Sequence, residues 1–447
     1  MPQTVLVTGA AGYIASRLIP RLLKAGYNVR CMVRRPERLR GREWYSSVEI
    51  VAADVIQPDS LSLAMQGVNA AYYLIHSMAA GHGYDRVDLL SARNFSQAAR
   101  QAGVEHIIYL GGLADPSDPG LARHLKSRIE SGDALREAGV PVTEFRAGVI
   151  VGPGSVSFEM IRFSVEQLPI LAVPGREHFS QPIAISNVLD FLIAALTTPS
   201  ARGQVIEIGS PEVYTYKEIV SRYAQIRGLK RIPLPLPFFP VSLMVLFIEL
   251  FTPVERSYAH PLIEGLQNDS VVLDQRSLSL FPDIHLLDYT SAVQRALAET
   301  HPDLMERIWL DLGKDAVEMK HEGMLVDYRR IHFPQTLHGH LDEAFAVLRR
   351  SVTAPSFHLG QIRDFEVDLL DPDAATLRLK VTAPNFPGDG WLEWKLTSNQ
   401  LEQTVFFAPK GMSGFNSGYG LYVFYRRIII RLIHSLMDEV LSRGRSS

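Results

Sequence analysis

Cysteine is almost absent from this chain of 447 residues, in which Cys31 is the single one. That excludes an internal disulfide and any multi-cysteine metal site, and it fits a reducing compartment. An excess of one charge sign is also missing. The formal net charge is −3, which gives nucleic acid no general electrostatic footprint. No apolar run is long and unbroken enough to span a bilayer. Ile232 to Ile248 carries no charge, but Pro233, Pro235, Pro237 and Pro240 break its first half. The remainder, Val241 to Phe251, falls short of the roughly 20 residues of a spanning helix. The first strand begins by Thr4, leaving no room for a signal peptide, so the expectation is a cytoplasmic protein without a transmembrane segment. The length and the ordinary apolar and charged fractions of 47% and 21% allow two or three domains with full cores.

What is present starts with Thr4 to Ala15, TVLVTGAAGYIA. Val5-Leu6-Val7 reads as a buried parallel strand, Thr8-Gly9-Ala10-Ala11-Gly12 as a turn of small residues, and Tyr13-Ile14 as the opening of a helix. Strand, glycine turn and helix present free backbone N–H groups to a phosphate. Gly9 permits the turn, Gly12 lets backbone approach a pyrophosphate, and Ala15 stands where a third glycine would fall. The second strand, Asn28 to Val33, ends in Arg34-Arg35. NAD-binding sites usually place an acidic residue there, about 20 residues past the glycines. Guanidinium groups instead suit a 2′-phosphate, so NADP(H) is expected over NAD.

From Thr4 to Val151 strands and helices alternate, which means a doubly wound parallel sheet with helices on both faces, an α/β Rossmann architecture. Strands are expected at Val48–Val55, where Asp54-Val55 would meet the adenine, at Ala70–His76, His106–Leu110 and Val142–Val151. Ile75, His76 and Ser77 close the fourth strand and Gly111-Gly112 the fifth, at the edge where ligands bind. Residues 155–300 read as a substrate subdomain on the same α/β unit, in which Thr215-Tyr216-Lys217-Glu218 is a capping box. Asn94 is read as backbone support and Tyr109 as packing, whereas Met78, Phe158, Met160 and Phe163 could line a pocket or belong to the core. Residues 301–447 change character to α+β, with antiparallel strands followed by a long helix from Tyr422 to Ser442.

TGAAGYIASRLIPRLL, MVRRP, AADV, YYLIHSM, NFSQAARQAGVEHIIYLGGL, HLKSRIESGDALREAGVPVTEFRAGVIVGPGS and QPIAIS jointly resemble the atypical short-chain dehydrogenase/reductases, especially their NmrA-like branch. GWLEWKL, LEQTVFFAPKGMSG and the final helix look like a domain fused to such proteins, similar in pattern to the Bet v 1-like helix-grip fold. The resemblance implies NAD(P) binding, and in catalytic members a Tyr-x-x-x-Lys proton relay. Here His124 stands at the Tyr position, Arg128 at the Lys position, and Gly111-Gly112 where a catalytic Ser usually sits. His124 is therefore the candidate general acid, and Arg128 a candidate for holding the ribose or a phosphate. Three readings stay open: an NADPH-dependent reductase of a small apolar carbonyl or alkene, a non-catalytic NADP(H) sensor of NmrA type, and a hydrophobic-ligand carrier.

Overall fold

In the computed structural model the chain forms two compact units that divide near residue 300. The structure describes residues 3–40, 42–77, 83–236, 241–242, 244–246, 256–301, 316–321, 324–332, 341–359, 362–384, 386, 388–410 and 431–438.

The first unit is built on a seven-stranded parallel sheet. Its strands are β1 (Thr4–Thr8), β2 (Asn28–Val33), β3 (Glu49–Ala52), β4 (Ala70–Tyr73), β5 (His106–Gly112), β6 (Val142–Ala147) and a seventh, Val205–Ile208. Their order across the sheet is seventh, β6, β5, β4, β1, β2, β3. The order reverses between β1 and β4, and that reversal opens a crevice at the C-terminal strand ends. Strand periodicity splits the core in two. Val5 and Val7 of β1 pack with α1 (Tyr13–Lys24) through Leu18, Ile19 and Leu22. Leu6 points the other way, toward Leu61 of α2 (Pro58–Met65), Phe95 of α3 (Tyr84–Gln101) and Leu135 of α4 (Arg123–Arg136). Each such side chain contributes about 1.5–3 kcal/mol on full burial. Ala15 is 1% exposed in the first of these cores, so its single methyl fits between helix and strand.

The sequence expectations hold for the sheet and shift at the ends. The strand expected over Val142–Val151 breaks after Ala147, and Ile150-Val151 pairs instead with Ile183-Ala184. The break lies at Gly148, where a Cβ would stand 3.0 Å from Ser270 Oγ. The third and fourth strands end early, at Ala52 and Tyr73. The expected subdomain is not continuous. A helix over Ile185–Ala194 packs back on the nucleotide-side core, with Asp190 paired to Arg21 at 2.8 Å, and Val205–Ile208 joins β6. The remaining subdomain gathers the helices Val156–Gln167, Tyr216–Ile226 and Tyr289–Ala298 around Phe158, Ile219, Tyr223 and Val293. The capping box forms: Thr215 Oγ1 accepts from the Glu218 N–H at 3.2 Å, and the Glu218 carboxylate accepts from the Thr215 N–H at 2.8 Å. Phe158, Met160 and Phe163 are all buried in cores. A two-stranded parallel ribbon, Ile170–Pro174 with Ile232–Leu236, was not read from the sequence.

The second unit holds a six-stranded antiparallel sheet. A hairpin of Ala316–His321 and Met324–His332 pairs with the last strand, Gln400–Pro409, which continues through Gly388–Leu396 and Thr376–Val381 to Phe365–Asp371. Trp394, Leu377 and Leu392 form one core with Phe345 and Leu348 of the helix Leu341–Thr353 and with Ile433 and Leu436. Arg378 is fully buried and ion-paired to Asp368 at 2.5 Å and Glu393 at 3.0 Å. Of the long terminal helix only 431–438 lies within the described residues, and it is helical.

Candidate functional site

The crevice begins at the glycine turn. Gly9 has φ +61°, a left-handed conformation, and a Cβ there would stand 3.0 Å from the Leu74 carbonyl. Gly12 closes the turn by donating its N–H to the Gly9 carbonyl at 2.7 Å. It caps α1 without a side-chain acceptor, and the first helical turn carries no acidic residue. The first N–H groups of a helix have no acceptor within it, so those of Ile14 and Ala15 can turn to a ligand. A Cβ on exposed Gly12 would meet only Gly9 O at 3.0 Å, from its own turn, so the space beside it is open. Ala11 borders the same turn. These features fit a nucleotide pyrophosphate.

At the end of β2, Arg34 and Arg35 are both exposed. Neither guanidinium has an ion-pair partner among the described residues, so both can meet an anion without breaking an internal contact. Asp54, half-buried past β3, accepts from the Ile56 N–H at 3.1 Å and shapes its own loop.

Past β4 the chain is clamped at two points. The Thr8 hydroxyl donates to the Tyr72 carbonyl at 2.9 Å and accepts from the Leu74 N–H at 2.9 Å. Asp88 of α3 accepts from the Ser77 N–H at 2.7 Å and from the Ser127 hydroxyl at 3.1 Å. Ile75 and His76 are held between these clamps at the crevice edge. His76 is exposed to solvent. Desolvation by nearby protein, and secondarily the charge of Arg128, lower its imidazole below the ordinary value. Asp88, by contrast, has its carboxyl raised by burial. No motif pointed to Asp88, because its role depends on partners brought from β4 and α4.

Arg128 is the cation of this edge. It donates to the Leu110 carbonyl and lies 5.4 Å over the Tyr109 ring. Tyr109 in turn donates its hydroxyl to the Arg128 carbonyl at 2.9 Å, which bears out its reading as packing. Asn94 likewise supports backbone, donating to the Val55 carbonyl at 2.8 Å.

Several expected site residues lie buried or already engaged. His124 is buried, with Nδ1 lacking a hydrogen-bond partner. Gly265, ending the helix Arg256–Gly265, lies against its ring, where a Cβ would come 2.6 Å from Cε1. Burial first, and Arg128 second, bring its imidazole to about 4. Its burial, more than its charge state, sets it apart from His76, since the ring has little contact with solvent from which a proton could be renewed. The Thr8 hydroxyl is spent on the sheet, Val55 is buried, and Gly111 is packed against Tyr109 and Glu144. Gly112 lets α4 close on β5, since a Cβ there would stand 3.2 Å from Leu125 Cδ2. Met78 lies outside the described residues. The open turn (Gly9, Ala11, Gly12, Tyr13, Ile14), Arg34, Arg35, Asp54, Ile75, His76, Ser77 and Arg128 come together along adjacent strand ends.

Residues 9–154 match the NAD(P)H-binding family model. That stretch of the first unit is thus an NAD(P)H-binding domain. The chain is 28% identical over 230 residues to a (4-alkanoyl-5-oxo-2,5-dihydrofuran-3-yl)methyl phosphate reductase of Streptomyces griseus, covering 50% of this chain and 74% of that one. It is 27% identical over 229 residues to a ceramide reductase of Caulobacter vibrioides, covering 51% and 71%. The fold also resembles the Citrobacter sp. triphenylmethane reductase complexed with NADP(H), with a TM-score of 0.53 at 20% identity over 65% of this chain and 99% of that one. Both of these sequence relatives are named as reductases. Among the described residues no helix is long and apolar enough to cross a membrane, and no cluster has the makings of a metal site.

Proposed function

We propose that the protein is an NADPH-dependent reductase of a small apolar carbonyl or conjugated alkene. The observation that carries this reading is an exposed imidazole, His76, fixed between two backbone clamps at the nucleotide edge, within electrostatic reach of Arg128. A relative named as a ceramide reductase supports the apolar substrate class. NADPH, when bound, supplies a hydride. Arg128 supplies positive charge where a substrate oxygen gains negative charge. His76, neutral at pH 7, donates a hydrogen bond to that oxygen and passes on a proton from solvent. His124 keeps the floor of α4 packed under Gly265. The exposed arginines supply the preference for NADP(H).

Residues 301–447 are assigned to a helix-grip-like module, supported by the hairpin that pairs beside the last strand and by helices on one sheet face.

NADPH oxidation across a panel of apolar aldehydes, ketones and enones tests the reading on the parent, His76→Gln and His124→Asn. The His76 variant should lose about 10²–10⁴-fold in turnover, with NADPH affinity nearly kept. The His124 variant should stay within a few-fold of the parent. The reverse pattern would return the proton to His124, and silence across the panel with tight NADPH binding would favour the sensor.

A further inference from the structure

The ribbon of Ile170–Pro174 and Ile232–Leu236 contains no polar residue in either strand. Parallel strands normally have both faces covered. Here Leu171 and Val173 point into the core, while the opposite face carries Ile170, Ala172 and Pro174 beside Ile232, Leu234 and Leu236. Ile170 is 54%, Ile232 64% and Leu234 48% exposed. Three large aliphatic side chains in one register are therefore left to water.

The edge of the ribbon narrows what could cover it. The Ile232 N–H donates inward to the Pro169 carbonyl at 3.0 Å. N–H groups alternate along a strand, so positions 233 and 235 face outward, and both are proline. The outer edge therefore offers no N–H at either position. An added strand from a second copy or a peptide would find no donors there. The Pro233 and Pro235 carbonyls still face outward, so the edge suits the hydrated headgroup region of a bilayer better than its hydrocarbon core. Lys230 and Arg176 stand at opposite ends of the strip, both exposed and without an ion-pair partner among the described residues. Glu177 adjoins Arg176 and offsets part of that charge.

We infer that this ribbon is an interfacial docking strip for a lipid bilayer, seated in the headgroup region with an anionic preference set by Lys230 and Arg176. The inference stands apart from the reductase chemistry, since it uses no residue of the nucleotide crevice.

The full chain is sedimented with sucrose-loaded vesicles of phosphatidylcholine alone and of phosphatidylcholine with about a third phosphatidylglycerol, a composition rich enough in anionic lipid to attract basic residues. The parent should pellet with the anionic vesicles and less with the neutral ones. Ile232→Ser/Leu234→Ser should lower partitioning by about tenfold or more, while Ile232→Leu/Leu234→Ile should keep it. These side chains are exposed, so thermal melting and NADPH affinity should not move. No pelleting on either vesicle, or equal pelleting of parent and serine variant, would overturn the inference. A concentration-dependent dimer of the parent abolished by the serine pair would also overturn it, by assigning the strip to a second copy.

Discussion

Replacing Arg34 and Arg35 together by alanine tests the cofactor reading most directly. Both guanidinium groups are exposed and lack an ion-pair partner among the described residues, so their removal breaks no internal contact and should leave the melting temperature unchanged. A 2′-phosphate carries about −1.5 to −2 charges near neutrality, by analogy with phosphorylated side chains. A unit pair at 4 Å gains about 1 kcal/mol in bulk water and about 4 kcal/mol at an effective dielectric of 20. Exposure places these arginines toward the lower figure, and a bidentate contact adds geometry to charge. We therefore assign about 1–2 kcal/mol to each arginine and about 2–3 kcal/mol to the pair, or roughly 30–150-fold in NADPH affinity. NADH, without the phosphate, should change by less than about threefold, well under 1 kcal/mol. Calorimetric titration of both nucleotides into parent and variant reads the difference. Raising the salt toward 1 M should narrow it, as the screening length falls to about 3 Å. Equal affinity of the parent for the two nucleotides would refute the argument. Equal loss of both in the variant would show that the arginines grip the shared pyrophosphate instead.

Gly12→Val should abolish binding of both nucleotides at a modest cost in stability, because its Cβ would press at 3.0 Å on the Gly9 carbonyl of its own turn and meet nothing else. Gly9→Ala should instead lower stability by about 1–2 kcal/mol, since φ there is +61°. Thermal melts with and without NADPH separate the two, and undiminished binding by Gly12→Val would place the nucleotide elsewhere. Buried His106 and His124 are both held at about 4, below the ordinary imidazole value. The unfolded chain thus binds more protons than the native one between about pH 4 and 6.5, and stability should rise with pH across that window. The slope is bounded by about 1.4 kcal/mol per pH unit for each histidine. Urea midpoints measured from pH 4.5 to 7.5 should climb in the parent and climb less steeply in His124→Asn, and parallel curves would show that His124 titrates normally.

Much of the first unit was legible because its elements announce themselves locally. The apolar run of β1 cannot face water on either side, and the small-residue turn after it has one conformational use. The capping box of Thr215 and Glu218 carries both partners within four residues. Legibility failed where an element's place is set by distant chain. Val205–Ile208 reads as a strand anywhere, yet nothing near it says that it returns to β6. The ribbon was lost because three prolines from 233 to 237 argue against a strand, whereas two of them sit only where an edge needs no donor. In the second unit, Ala316–His321 alternates valine and methionine with charged residues and draws its identity from the hairpin partner that follows.

The site divides along the same line. Arg34 and Arg35 were readable because their meaning is their sequence distance from the glycines. His124 drew its expected role from alignment, which gives a residue its place on the backbone but not its solvent. Its position on α4 matches that of a catalytic tyrosine, whereas its chemistry depends on Gly265, which closes on the ring from far along the chain. A phenol in such a pocket would keep its proton. An imidazole there instead loses its charge, since burial penalises the protonated form and the neighbouring Arg128 repels it. The substitution at the tyrosine position thus takes the proton source out of α4, and the accessible imidazole nearest in electrostatic terms to Arg128 is His76. On the proposed reductase reading, the proton is drawn from the β4 side of the crevice, where Thr8 and Asp88 clamp the backbone.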